Sequence, residues 1–146
     1  MNKITTTILA TILAILPMGA GATEITPANV LALMNKDRAA NHVRPLKENN
    51  ELDRSASAKD ADMVTNRYFA HTSPAGKSLV WFINSAKYRY RTAGENLATG
   101  FQNAEDEEKA FMSSPTHRAN ILDPEYHDVG ISVGGGYVVI HFGRHL

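Results

Sequence analysis

The chain has 146 residues, with 15 Lys and Arg against 15 Asp and Glu, and it contains no cysteine. A balanced charge provides no electrostatic attraction to nucleic acid or anionic lipid, so we expect no nucleic-acid partner. Without cysteine the fold cannot be supported by disulfides and must be stabilised by packing alone.

The N-terminal residues have the pattern of a secretory signal peptide. Lys3 precedes an apolar stretch at residues 4–16, Pro17 ends it, and small residues lead to a cleavage point after Ala22. An uncleaved membrane anchor is the alternative, but it requires about 20 apolar residues, more than this segment has before Pro17. We therefore predict a signal peptide over residues 1–22 and a secreted or periplasmic protein of bacterial type.

The rest of the chain, residues 23–146, is predicted to form a single domain, because its length fits the common domain size. No second apolar stretch long enough to span a bilayer follows in the sequence. We expect no transmembrane anchor after signal cleavage, and we expect a monomer.

The first three predicted helices are marked by caps and apolar spacing. Thr26 and Pro27 form an N-cap and first-turn pair for a helix that runs to about Ala40. A second helix is predicted from about Glu51 to Asn66, with only the stem of Lys59 joining its buried face. A third follows from the helical spacing of four apolar residues: Leu79, Phe82, Ile83 and Ala86.

Two further helices follow in the C-terminal half. Asn103 is predicted to cap a helix that ends near Met112, and Ser114 with Pro115 restarts a short helix that Asp123 stops. The first of these helices begins with the acidic run at residues 105–108. We interpret that run as favourable to the positive end of the helix dipole, in preference to a cation site.

The strands are predicted mainly at the end of the chain. Residues 129–133 alternate in polarity, three glycines at 134–136 form a turn, and residues 137–142 form a nearly unbroken apolar strand, which together indicate a hairpin. Residues 88–92 alternate and predict an edge strand. Because the continuous strand implies burial on both faces, we predict an α+β fold, a three-layer α-β-α sandwich with a central, mainly antiparallel sheet.

Three separated segments carry ionisable side chains among turn and cap residues: residues 71–76, 94–97 and 114–118. Their ionisable groups are His71, Glu95 and His117, from which a metal site or an acid/base site can be built. None of the pairs has the spacing that would place both groups on one helical face, so spacing alone does not show that they meet. For the histidines in or beside the hairpin, His127, His141 and His145, we expect solvated or packing roles.

These segments, in order, resemble the motifs of the bacterial branch of the CAP superfamily, which includes cysteine-rich secretory proteins, antigen 5 and pathogenesis-related 1 proteins. The resemblance is carried by residues 69–76, 94–98, 111–122 and the closing strands, and it extends upstream to residues 34–38 and 44–46. Supporting positions within the motifs are Ser73, Pro74, Gly76, Gly94, Asn96, Arg118 and Asn120.

The resemblance implies an α-β-α sandwich with an open cleft in which two histidines and acidic residues face each other. His71, Glu95 and His117 match three of the cleft positions, and Ser114 stands where some relatives have a fourth, acidic group. Two imidazoles and one carboxylate can still hold a divalent metal, for which Zn²⁺ is the best match, whereas hard cations should bind less well. No metal is required by this interpretation.

Three functions remain open from the sequence. The first is an exported, non-enzymatic binding module whose cleft takes a divalent metal or a small-molecule, lipid or protein ligand. The second is a metal-assisted hydrolase acting on peptides or envelope material, with His71 and His117 holding Zn²⁺. The third is a stable exported scaffold for protein contacts. Because fold does not determine function, the family resemblance does not choose among them.

Overall fold

The structure is a computed structural model that describes residues 21–146. The predicted signal peptide, residues 1–22, lies almost wholly outside the described residues. The described part contains five helices and four strands. In chain order they are α1 (Pro27–Ala40), β1 (Lys47–Glu48), α2 (Asn50–Asn66), α3 (Leu79–Ser85), β2 (Tyr90–Thr99), α4 (Ala104–Ser113), α5 (Pro115–Leu122), β3 (Asp128–Gly134) and β4 (Tyr137–His145).

The helix boundaries follow local capping chemistry and agree with the predicted ones to within about one residue. The side chain of Thr26 accepts a hydrogen bond from the main-chain N–H of Asn29, and Asn103 caps α4 in the same way through Asp106. Asn49 accepts from two main-chain N–H groups at the start of α2. These contacts satisfy donors that a helix leaves unpaired in its first turn. None of the described helices is long and apolar enough to cross a membrane.

The four strands form one sheet in the order β1, β3, β4, β2. The short strand β1, which was not predicted, pairs in parallel with β3, and the other two pairings are antiparallel. Strand β4 is central and is buried from Val138 to Gly143. The predicted hairpin and the mainly antiparallel central sheet are therefore confirmed.

One segment that looked like a turn is a strand. Residues 94–97 were grouped with turn and cap residues, but they lie within β2, which pairs with β4 along its whole length. The predicted edge strand at residues 88–92 is thus the beginning of a longer one. The register places Glu95 directly opposite His141. Glycine at position 94 allows close packing, because a Cβ there would lie 2.5 Å from the hydroxyl oxygen of Tyr126 and would displace that ring.

Helices cover both faces of the sheet. One buried cluster joins α1, α4 and α5 to one face and includes Met34, Phe111, Ile121, Ile140 and Phe142. On the opposite face α2 packs through Ala56 and Met63 against Leu97 and Val139. The alternation of β4 side chains between the two clusters is the expected two-residue period of a strand, and it confirms the three-layer sandwich.

Helix α2 approaches the sheet very closely at Gly130 on β3. A Cβ on this glycine would lie 2.0 Å from the carbonyl carbon of Leu52, so a side chain there would enter the main chain of α2. The close approach brings the polar residues on the inner face of α2, Ser55 and Lys59 among them, down onto the sheet, where both are fully buried.

A buried arginine joins α1 to the loops beyond it. Arg38 is fully buried and donates hydrogen bonds of 2.7–3.1 Å to four main-chain carbonyl oxygens. The acceptors belong to Arg44, Ile121, Asp123 and Tyr126. One guanidinium group thereby joins α1 and the loop after it to a segment more than 80 residues further along the chain.

Candidate functional site

The centre of the site is the carboxylate of Glu95 on β2, whose side chain is almost completely buried. Its Oε1 lies 2.6 Å from Nδ1 of His71, and its Oε2 lies 2.8 Å from Nε2 of His141. Each carboxylate oxygen therefore has an imidazole partner, one from the loop after α2 and one from the neighbouring strand. His71 is the outer of the two, with 64% of its side chain exposed.

The inner imidazole continues the hydrogen-bonded chain into the core. Nδ1 of His141 lies 2.8 Å from the hydroxyl oxygen of Ser55 on α2. Burial lowers the pKa of His141, with hydrogen bonding to Glu95 opposing the effect, so the ring is neutral at physiological pH. A neutral ring beside a carboxylate donates from Nε2, and its Nδ1 then accepts from Ser55. A continuous chain thus runs from Ser55 through His141 and Glu95 to the exposed His71.

Of the two roles expected for His141, solvated or packing, the structure excludes the solvated one, and it adds a hydrogen bond to Glu95 that was not predicted. Its ring is fully buried and is bonded at both nitrogens. The hairpin pattern placed it correctly on β4, but no motif in the chain linked it with Glu95. The only available signal was a histidine in the middle of an otherwise apolar strand, where an unpaired imidazole would be costly.

Glu95 remains ionised despite its burial. Burial by itself raises the pKa of this carboxyl, but hydrogen bonds from His141 and His71 and the charge of Lys59 bring the pKa below its ordinary value. Because His141 is neutral, we attribute the stabilisation of the carboxylate chiefly to donated hydrogen bonds and to Lys59.

Lys59 on α2 positions the loop that carries His71. Its ammonium group donates to the carbonyl oxygens of Ala70, at 2.7 Å, and His71, at 3.0 Å, and to the hydroxyl of Tyr68 at 3.3 Å. Only the stem of this lysine was expected to be buried, but the whole side chain is. The charge is tolerated because three acceptors surround it and Glu95 lies nearby, although burial still lowers the pKa of Lys59.

The residues after His71 form the predicted turn. The hydroxyl of Ser73 accepts a hydrogen bond from the main-chain N–H of Lys77 within the turn. Gly76 has φ +79°, a backbone conformation that favours glycine. Pro74 lies between them in the same turn. Ser73 is buried and held in the turn, so its role here is to shape the loop.

Amide side chains hold α5 against β2 on the other side of Glu95. Asn96 donates to the carbonyl oxygen of His117 at 3.1 Å. Asn120 donates to the carbonyl oxygen of Glu95 at 3.1 Å and to the side-chain oxygen of Asn96 at 2.8 Å. Arg118 makes only a long contact of 3.4 Å with Asn41. The motif amides therefore fix the position of His117 relative to the carboxylate.

His117 itself does not touch Glu95. Its ring packs edge-on against Phe111, with 5.1 Å between ring centroids. Burial lowers the pKa of His117, and the charge of His71 lowers it further. Ser114, at the fourth position, has its hydroxyl oxygen 3.5 Å from that of Thr116. The structure thus joins His71 to Glu95 directly and places His117 within electrostatic range of His71.

This arrangement predicts that replacing His71 with glutamine raises the pKa of His117, because a nearby positive charge is removed. The measurement is NMR titration of the His117 ring protons in wild type and H71Q. Substitution of the exposed His42 by asparagine is the matched control and should leave the His117 titration unchanged. An unaltered His117 curve in H71Q would show that the two rings do not share a site.

An apolar groove adjoins the imidazole of His117. It has a volume of about 320 Å³ and runs between β2 and α4. Its walls are mostly aromatic and aliphatic, and the polar side chains of His117 and Ser114 lie along it. The main wall residues are Phe69, Leu97, Phe101, Ala110 and Phe111.

The metal-ligand geometry expected for a Zn²⁺ site is a set of side chains that converge on one point. Among residues 21–146 no group of three or more His, Cys, Asp or Glu side chains is arranged to hold a metal ion. Nδ1 of His71 bonds to Glu95, which leaves Nε2 of that ring as its free nitrogen.

The described residues thus form an α-β-α sandwich, which is the fold of SCP domains of the CAP superfamily. Within it, a carboxylate-anchored histidine and a second imidazole lie close to an apolar groove. The chain matches the model of the CAP, or cysteine-rich secretory protein, family over residues 31–140 and belongs to that family.

Individual relatives are similar over most of this chain. The uncharacterized protein YkwD of Bacillus subtilis is 39% identical over 109 residues, which cover 75% of this chain and 41% of that protein. A second Bacillus subtilis relative, the uncharacterized membrane protein YlbC, is 26% identical over 77% of this chain and 33% of its own length. The chain therefore spans less than half the length of the curated relatives it matches.

Solved structures share the fold. An extracellular protein with an SCP domain from Bacillus anthracis superposes with a TM-score of 0.76 at 24% identity, covering 84% of this chain and 45% of that one. An outer surface protein of Borrelia burgdorferi superposes with a TM-score of 0.74 at 17% identity, covering 86% of this chain and 99% of that one. The expected fold and family are therefore confirmed.

Proposed function

We propose that this domain is an exported, non-enzymatic binding module whose groove takes a small amphiphilic ligand. The observation that carries the proposal is the juxtaposition of the apolar groove with the imidazole of His117, which lies within electrostatic range of His71. The groove accommodates an acyl or alkyl part, and the imidazoles supply polar contacts to a head group. A mostly apolar pocket with a few placed polar groups is typical of small-molecule sites.

Export is supported by the predicted signal peptide and by the extracellular or outer-surface locations in the names of two structural neighbours. A chain of balanced charge with an apolar groove also fits a small ligand better than an extended polyanion.

A divalent metal is a second candidate ligand for the same site, and Zn²⁺ suits it best. The Nε2 atom of His71 and an imidazole nitrogen of His117 would hold the ion, and Glu95 would orient the His71 ring as an outer partner. A carboxylate that fixes a metal-bound histidine in this way is a common arrangement. In this role Glu95 is a positioning residue, and the site has two protein ligands.

The hydrolase alternative requires a third ligand or a base directed at the substrate. Glu95 already has a hydrogen-bond partner at each of its oxygens, and Ser55 and His141 are fully buried. The hydrogen-bonded chain therefore supports a structural and positioning role for these groups better than a catalytic one.

The test is thermal unfolding of the protein in the presence of octanoate and, separately, of ZnCl₂. At 100 times its dissociation constant a ligand adds about 2.7 kcal/mol to the free energy of unfolding, which corresponds to about 10 °C for a domain of this size. We expect octanoate to raise Tm in this way. A Tm unaffected by either ligand would contradict the proposal.

Two variants identify the site. Ala110→Phe places an aromatic ring in the groove and should abolish the octanoate response, whereas Ala61→Phe, at an exposed position of α2, should retain it. The double variant His71→Ala, His117→Ala should abolish any response to Zn²⁺. Retention of the octanoate response in A110F would place the ligand elsewhere on the protein.

A further inference from the structure

Helix α4 buries two glutamates on its inner face. Ala104, Glu107, Glu108 and Phe111 lie at helical spacing and are all buried. The acidic run at residues 105–108 was expected to act at the helix dipole, and the exposed Glu105 and Asp106 are consistent with that role. Glu107 and Glu108 correct the expectation, because they face the interior of the fold.

Glu107 lines a cavity of about 140 Å³, which lies beside the hairpin turn. Only 1% of the residue is exposed, and neither carboxyl oxygen has a hydrogen-bond partner among the described residues. The other walls are mostly apolar. They are formed by Ile25, Phe101, Val133, Tyr137, Val138 and the glycines at 134–136.

A buried carboxyl group without a partner is unusual, since buried polar groups are nearly always hydrogen-bonded. Burial alone raises the pKa of Glu107 to about 7, so near neutral pH the group lies close to the boundary between its neutral and ionised forms. Glu108, the next residue, is also buried, and burial together with the nearby Asp37 raises its pKa to about 8. Leaving a lone carboxylate in an apolar wall is costly unless a cation reaches it.

The polar groups around the cavity favour a ligand that donates hydrogen bonds to Glu107. Thr99 directs its hydroxyl hydrogen to the carbonyl oxygen of Gly136, at 2.9 Å, so this hydroxyl does not donate to Glu107. A primary ammonium group supplies three N–H donors and a positive charge, which is the complement of a carboxylate. A cavity of comparable size, 150 Å³, is known to hold a molecule such as benzene.

We propose that this cavity is a second binding site, specific for a small primary amine whose ammonium group pairs with Glu107 and whose short alkyl or aryl body fills the apolar space. Thr99 and Phe101 line both this cavity and the groove beside His117, but the two spaces are otherwise lined by different residues. The amine site therefore does not depend on the function proposed for the groove.

The test uses n-butylamine, which is cationic at pH 8, and n-butanol, its neutral counterpart of the same shape. Binding is followed by the NMR shifts of the Val133 and Val138 methyl groups in the full-length domain. We expect saturable shifts with n-butylamine and a dissociation constant at least tenfold lower than for n-butanol. Affinity for the amine should fall as the pH is lowered from 8 to 5, because Glu107 becomes protonated.

The variant Glu107→Gln should weaken n-butylamine binding at least tenfold at pH 8 and leave n-butanol binding nearly unchanged. Glu48→Gln, the same change at an exposed position of β1, is the control. If E107Q does not fold, the carboxyl ¹³C shift of Glu107 in the wild type decides, since bound amine must lower the pKa of Glu107. Equal binding of amine and alcohol, unchanged amine binding in E107Q, or a cavity that takes up water only would overturn the proposal.

Discussion

Replacing Glu95 with alanine should lower the free energy of unfolding by about 3–5 kcal/mol, because removal of one member of a buried charged network leaves the others uncompensated. The buried ammonium of Lys59 would lose its nearby negative charge, and Nε2 of His141 would lose its acceptor. His71 would also lose the bond that fixes its ring, so the outer part of the site should become mobile.

The measurement is urea unfolding at pH 7 together with NMR of the His71 ring. Glu95→Gln, which keeps the shape but not the charge, should be intermediate, and the exposed Glu48→Gln should change stability by less than about 0.5 kcal/mol. A Glu95→Ala protein as stable as the wild type would show that the network contributes nothing to the fold.

The difference in stability between the wild type and E95Q should depend on pH. Because the pKa of Glu95 in the folded protein lies below its ordinary value of 4.5, the ionised group contributes its stabilisation fully above that value. The stabilisation is lost as the pH falls through the folded-state pKa. The difference in stability between wild type and E95Q should therefore be largest near neutral pH and should narrow in acid.

Replacing Arg38 with methionine should have an effect of similar size, about 4 kcal/mol or more, because four main-chain carbonyl groups lose a charged donor at once. Hydrogen bonds to a charged group contribute about 1.5–3 kcal/mol each, and methionine can replace only the packing of the side chain. Since domains are stable by about 5–15 kcal/mol, the variant should be close to unfolding at 37 °C.

Chemical unfolding followed by circular dichroism measures this effect. Arg38→Lys keeps the charge, but its single ammonium group cannot reach all four acceptors that the planar guanidinium group reaches. These acceptors are the carbonyl oxygens of Arg44, Ile121, Asp123 and Tyr126. R38K should recover only part of the loss. Arg54→Met is the control, because Arg54 is exposed and makes a long bond of 3.4 Å to Ala86 and an exposed ion pair of 3.7 Å with Glu51, which together contribute little. Equal stabilities of R38M and R54M would contradict the assigned role.

The sequence was sufficient to predict those structural elements that depend on interactions between residues a few positions apart. The helix starts at Thr26 and Asn103 could be predicted because the cap and its partner are three residues apart. The hairpin at the chain end could be predicted because three glycines separate two runs of strand period. The ordered motifs around His71, Glu95 and His117 were enough to indicate the family.

Which buried polar groups meet depends on contacts between residues that are far apart in the chain. His141 lies 46 positions from Glu95 and 86 from Ser55, and no local pattern encodes such a distance. The complete burial of Lys59 and the inward face of Glu107 likewise depend on which neighbouring elements cover each helix. Capping and turn formation depend on hydrogen bonds between residues that are close in the chain, so they follow from the sequence alone. The composition of the site depends on how closely α2 and α4 pack on the sheet, which only the fold fixes.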